Sequence, residues 1–80
     1  ESSVRMTMIH QNVPNMVGRI TTILANDDIN IDNMINKSRG QFAYTVIDIG
    51  QQPVEQLETL QKELLEIPEV IRVRVLKNEF

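Results

Sequence analysis

The chain holds one histidine, His10, and two amides, Gln11 and Asn12, directly follow it. Pro14 comes two residues later. A proline suits the first turn of a helix, because its missing N–H would find no intrahelical partner there. The free N–H groups behind it carry partial positive charge. A loop furnished this way can dock a small anion such as an amino-acid carboxylate. Nucleophilic catalysis is a poor alternative, since it needs a base beside a nucleophile and a third group to orient the base. Here there is no cysteine, and the serines are Ser2, Ser3 and Ser38. No catalytic residue is assigned. A lone histidine among scattered carboxylates is also a poor metal site, and no metal is expected. Asp27 and Asp28 read as a solvated helix end rather than a carboxylate pair.

The elements that must position this loop follow from periodicity. Val4 to His10 alternates, with Val4, Met6, Met8 and His10 on one side and Arg5, Thr7 and Ile9 on the other, which is strand period. Asn12 is a plausible N-cap for a helix whose apolar positions are Met16, Val17, Ile20, Ile23 and Leu24. That helix ends near Asn26-Asp27-Asp28. Ile29 to Asn36 reads as a second strand, and Lys37-Ser38-Arg39-Gly40 as a hairpin loop. Phe42 to Ile49 is the clearest strand, with Phe42, Tyr44, Val46 and Asp48 opposite Ala43, Thr45, Ile47 and Ile49. Pro53 opens a second helix with Val54, Leu57, Leu60, Leu64 and Ile67 in one stripe, and Pro68 stops it. Val70 to Leu76 is the last strand, with Ile71, Val73 and Val75 opposite Arg72 and Arg74. Residues 77–80 read as a tail.

The order β-α-β-β-α-β predicts an α+β, ferredoxin-like sandwich: a four-stranded antiparallel sheet with two helices on one face. The halves echo each other, since Pro14 and Pro53 each open a helix behind a short amide-containing loop. One sheet face stays bare, and a small domain with a bare face and open strand edges tends to find a partner.

Eighty residues make one domain, spanning 1–80, of marginal core size. The chain starts at Glu1 without an initiator methionine, so it reads as a piece of a longer protein. A net charge of −3 argues mildly against nucleic acid as the main partner. No apolar run approaches the ~20 residues of a membrane span. The lack of cysteine is compatible with a cytoplasmic location. One rival needs an answer, because RNA-recognition modules share this topology. Arg39-Gly40-Gln41-Phe42-Ala43-Tyr44-Thr45-Val46 approaches their β3 signature. Gln41 is an extra residue in it, and the first strand has no aromatic to complete a stacking platform. Phe42 and Tyr44 are therefore expected in core or interface packing, and Arg72 and Arg74 on a solvated strand face.

From about Val4 to Leu76 the chain resembles the ACT domain, an amino-acid sensor attached to metabolic enzymes. Within that family it is most similar to the C-terminal regulatory domain of D-3-phosphoglycerate dehydrogenases. The resemblance rests on His10-x-Asn12-x-Pro14 and on Ile29-Asn30-Ile31, with the family's twenty-residue step from histidine to asparagine. It extends through Tyr44-Thr45-Val46-Ile47-Asp48-Ile49 and Ile67-Pro68-Glu69-Val70-Ile71-Arg72-Val73-Arg74-Val75-Leu76. The resemblance implies a homodimer joined through sheet edges. It implies L-serine, or another small amino acid, bound at that junction as a feedback inhibitor of an attached NAD-dependent dehydrogenase. His10 and Asn12 would come from one chain and Asn30 from its partner, with Pro14 and Asn15 lining the loop. The domain itself would need no cofactor. A zwitterion suits neutral amides, which supply donors and acceptors without a buried net charge. One position departs from the family: Asn15 stands where it usually has glycine, so its side chain is expected to crowd the pocket or change its preference.

Overall fold

The computed structural model describes residues 2–79. Six elements follow in the order β1 (Ser2–Gln11), α1 (Met16–Asn26), β2 (Ile31–Arg39), β3 (Phe42–Gly50), α2 (Val54–Leu65) and β4 (Val70–Glu79). The strands form one antiparallel sheet in the order β2-β3-β1-β4. This is the expected ferredoxin-like sandwich, and its two edges are β2 and β4.

The core lies between the sheet and the helices because inward positions recur at the right periods. Val4, Met6 and Met8 of β1 and Ile47 and Ile49 of β3 are buried against Met16, Ile20 and Leu24 of α1 and Leu57, Leu60 and Leu64 of α2. On β3 the observed alternation is the one the sequence predicts, since both edges of this central strand are paired and its register is fixed. Val54 departs from its stripe and stands 53% exposed at the start of α2.

Three differences have local causes. Val70 faces His10 and Arg72 faces Ile9, so Ile71 is an extra residue in a bulge. It is therefore exposed beside Arg72, not buried with Val73. Lys37, Ser38 and Arg39 belong to β2 rather than to a hairpin loop. The turn is only Gly40-Gln41, with Arg39 facing Phe42. Gly40, at φ 64, holds the first central position, the place that a II′ turn gives to glycine. Finally, β4 continues to Glu79, pairing Lys77 with Val4 and Glu79 with Ser2. Most of the expected tail is thus strand, and Phe80 lies outside the described residues.

Candidate ligand site at the end of β1

The loop after β1 is tied to two other segments and to itself. Gln11 N–H donates to Glu69 O at 2.9 Å, Asn12 N–H to Gln41 O at 2.8 Å, and Val13 N–H to Gln11 O at 3.0 Å. The Asn12 amide adds Nδ2–H to Gly40 O at 3.1 Å, and its Oδ1 lies 3.5 Å from Ser38 Oγ. Asn12 thus clamps the loop to the β2–β3 turn and does not cap α1. The N-cap is Asn15, three residues later, and Pro14 precedes it outside the helix. The expected roles of Asn12 as N-cap and of Pro14 in the first turn are both corrected. The cause is the backbone of Asn15, which at φ 73 and ψ 9 takes the left-handed conformation and turns the chain into α1. Glycine, and among other residues asparagine, occupies that region most easily.

The Asn15 side chain makes no capping bond. It lies along α1, and a Cβ on Gly18 would sit 3.1 Å from its Oδ1. Asn15 and Gly18, with Arg19, Thr22, Ile23 and Ile67, line an open groove of about 460 Å³. Arg19 Nη1 is 3.0 Å from Glu69 Oε1. That contact joins α1 to the turn that also holds Gln11.

His10 is 1% exposed and faces the helix layer. Its Nδ1 lies 3.0 Å from Gln11 O, and its Nε2 lies 2.8 Å from Thr45 Oγ1. Thr45 Oγ1 is in turn 2.9 Å from Asn36 Oδ1. Both ring nitrogens are therefore engaged within the chain. Sequence reasoning missed Thr45 and Asn36. The available signal was a polar threonine in the inward-facing set of β3.

His10, Asn12, Pro14 and Asn15 gather at one end of the sheet, and Asn30 does not join them. His10 pairs with Ala43, whereas Ile31, next to Asn30, pairs with Ile49. At roughly 3.3 Å per residue along β3, that separation is about 20 Å. Asn30 is exposed at the opposite end, ahead of the edge strand.

The sheet face away from the helices carries a different chemistry. Its rows run Ile35–Val46–Thr7–Arg74 and Lys37–Tyr44–Ile9–Arg72 across β2, β3, β1 and β4, with Arg39 beside Phe42. Phe42 and Tyr44 are 49% and 44% exposed, so they are not core residues of this chain. With Ile9, Lys37 and Arg39 they border a shallow groove of about 570 Å³. Arg72 and Arg74 are exposed, as expected, and neither meets an acid among the described residues. Arg5 Nε donates to Asp48 Oδ1 at 2.8 Å, and this bond holds the Asp48 carboxyl below its ordinary range.

Asp27 and Glu63 form a carboxyl pair that the sequence reading did not anticipate. Their Oδ2 and Oε1 atoms are buried without a partner. The neighbouring Asp27 carboxyl, followed by burial, pushes the Glu63 carboxyl up.

The comparisons agree with this architecture. Residues 2–74 match the family model described as the ACT domain. The chain is 32% identical over 76 residues to D-3-phosphoglycerate dehydrogenase 1 of Saccharomyces cerevisiae, covering 95% of this chain and 16% of that protein. It is 32% identical over 75 residues to a putative D-3-phosphoglycerate dehydrogenase of Schizosaccharomyces pombe, covering 94% and 16%. The chain thus spans only a small part of these curated relatives. Among solved structures, the ACT domain of GTP pyrophosphokinase from Chlorobium tepidum superposes with a TM-score of 0.81. Its identity is 19%, and the match covers 92% of this chain and 96% of that one. A homoserine dehydrogenase from Thiobacillus denitrificans gives a TM-score of 0.82 at 18% identity, covering 98% of this chain and 17% of that one. These two likenesses concern the fold. The strand order, the loop built around His10 and Asn12, and the family match lead to one conclusion: the chain belongs to the ACT domain family.

Proposed function

We propose that this domain binds a small amino acid, L-serine first among candidates, at a site shared by two copies, and so regulates an attached D-3-phosphoglycerate dehydrogenase. The dehydrogenase would use NAD in its own catalytic part and work in the cytoplasm. The observation that carries the reading is the separation of the polar groups. His10 and Asn12 stand at one end of the sheet, Asn30 at the other, and β2 is a free edge between them. Two copies joined antiparallel along β2 about a two-fold axis bring the start of one β2 beside the end of the other. Asn30 of the second copy then approaches the Asn12 loop of the first. The N–H groups of the first turn of α1, which have no intrahelical acceptor, favour the ligand carboxylate.

A second reading keeps the module and changes the ligand. Asn15 projects a side chain along the groove that a family glycine leaves open, and this favours a ligand smaller or more polar than the family norm, or assembly alone.

Mixed dimers test the shared site. One chain carries Asn12→Ala and the other Asn30→Ala. The mixed dimer then holds one site missing both groups and one intact site, whereas each mutant homodimer holds two damaged sites. Losing one bond to a charged ligand costs about 1.5–3 kcal/mol, tenfold or more in affinity. Calorimetry should find wild-type affinity for L-serine at half stoichiometry in the mixed dimer only. No recovery in a verified mixed dimer refutes the shared site. A panel of the other amino acids separates the two readings, since tighter binding of another one moves the assignment away from serine.

A further inference from the structure

The bare sheet face separates charge in a way that the composition hides. Its register rows are Asn33–Asp48–Arg5–Leu76, Ile35–Val46–Thr7–Arg74, Lys37–Tyr44–Ile9–Arg72 and Arg39–Phe42–Gln11. These rows hold five cations and one acid, a balance of +4 in a chain whose net charge is −3. Arg5 already holds that acid, Asp48, at 2.8 Å. Lys37, Arg39, Arg72 and Arg74 are exposed, and none of them forms an ion pair among the described residues. At physiological salt, charges interact over only about 8 Å, so the face acts through its own four cations and not through the chain total.

Two aromatic rings stand among these cations. Phe42 and Tyr44 are 49% and 44% exposed on the same side of β3. They are two residues and so about 7 Å apart, a gap that two splayed neighbouring bases span. Gln41, which interrupts the likeness of β3 to RNA-recognition modules, lies in the turn before the strand, and both rings face outward all the same. Lys37 and Arg39 flank the rings on β2, and Arg72 and Arg74 flank them on β4. Across three strand spacings the two cation pairs are about 14 Å apart, too far for one phosphate and suited to a chain of them.

The charge selects among occupants. A second copy laid face to face sets +4 against +4. An acidic polypeptide meets the cations and offers the rings no flat partner. A single nucleic-acid strand supplies both, a phosphate at every unit and a π-face on every base. We propose that this face binds single-stranded RNA, with neighbouring bases stacked on Phe42 and Tyr44 and phosphates on Lys37 and Arg39 at one side and on Arg72 and Arg74 at the other. The surface uses none of His10, Asn12 or Asn30, so it stands whether or not the domain binds an amino acid.

Fluorescence anisotropy of a short, labelled, mixed-sequence single-stranded RNA tests the proposal on the 80-residue chain. Wild type should bind at about 50 mM salt and lose at least about tenfold in affinity by about 200 mM. Phe42→Ala should weaken binding about fivefold or more. Tyr44→Phe should keep wild-type affinity and Tyr44→Leu should not, because leucine preserves apolar bulk without a π-face. Arg72→Glu should weaken binding strongly, and Lys62→Glu, the same charge change at an exposed position of α2, should leave it within about twofold. All these side chains are exposed, and circular dichroism checks that each variant folds. Absence of binding by wild type at low salt overturns the proposal. Equal losses in Arg72→Glu and Lys62→Glu overturn it in favour of net charge alone. Equal binding by Tyr44→Phe and Tyr44→Leu, or displacement of the RNA by polyglutamate as readily as by unlabelled RNA, overturns it in favour of an acidic polypeptide. Self-association of wild type in sedimentation that Phe42→Ala disperses overturns it in favour of a second copy.

Discussion

The two ends of the sheet are built from the same parts and finished differently. At each end a strand runs into a helix through a proline. After β1, the loop is held by Glu69, by Gln41 and by the Asn12 amide on Gly40. After β3, the described contact within the loop is Gln52 Nε2 on Gly50 O at 3.3 Å. Pro53 is the N-cap of α2, in extended backbone at φ −59 and ψ 148, whereas the corresponding place in α1 belongs to the left-handed Asn15. A shared proline marks the internal repeat and does not mark the site. The candidate site lies where a third and a fourth segment, the β2–β3 turn and the turn after α2, converge on the loop and fix its polar groups.

The largest expected effect breaks the better-built end. His10→Ala opens a cavity in a fully packed position and takes one hydrogen bond each from Thr45 Oγ1 and Gln11 O. It should cost about 2–4 kcal/mol in urea unfolding, against under about 0.5 kcal/mol for Gln52→Ala at the other end. Comparable costs at the two ends would erase the distinction.

Much of this architecture is legible in the sequence, and the exceptions share a cause. The alternation on β3 and the apolar stripe of α1 are properties of single elements, so periodicity reveals them. Ile71 is misplaced because a bulge shifts the parity of β4, and nothing in β4 alone declares it. Lys37 and Arg39 read as loop residues because of their charge, yet edge strands commonly carry such charges. The bonds from His10 to Thr45 and Asn36 join residues 35 and 9 positions apart across the sheet. Only the strand register brings them together. For the site itself, His10 and Asn12 were legible as residues, but their present partners were not. Asn12 looks like a helix cap and is a clamp on a turn.

A second prediction separates backbone from side chain at Asn15. Asn15→Ala keeps a Cβ in left-handed backbone and should cost about 1 kcal/mol. Asn15→Gly should be neutral or slightly stabilising, as the backbone is already of glycine type. Gly18→Ala gains helix propensity worth about 1 kcal/mol but meets Asn15 Oδ1 at 3.1 Å. Its benefit should therefore be larger in the Asn15→Gly background. Additive effects in the double-mutant cycle would show that the two side chains do not crowd each other.

Asn12→Ala is a smaller perturbation, since Asn12 is exposed and its bond to Gly40 O is a single one. It should cost about 0.5–1.5 kcal/mol. Amide exchange should quicken in the Gly40-Gln41 turn and remain unchanged around Gln51. Uniform acceleration would mean that Asn12 supports the whole fold and not that turn alone.

The last prediction concerns the helix layer toward the Asn30 end, where the Asp27 and Glu63 carboxyls meet. Asp27 Oδ2 and Glu63 Oε1 are buried and bare, and the neighbouring Asp27 carboxyl, followed by burial, pushes the Glu63 carboxyl up. An acid raised in this way keeps its proton in the folded chain at pH values where the unfolded chain has lost it. The folded state then binds more protons, so the contribution of this pair to stability falls as pH rises through and above the carboxylate range. Asp48 has the opposite sign: the Arg5 hydrogen bond lowers it, and its contribution fades as pH falls. Glu63→Gln gives Asp27 a permanent N–H donor of nearly the same shape. The variant should match wild type near pH 4 and exceed it in urea midpoint near pH 7, with the fall across about that interval removed. Asp48→Asn should leave the fall in place and weaken the acid limb alone. A Glu63→Gln profile parallel to wild type would mean that the two carboxyls share no proton, and that their bare oxygens are satisfied by water.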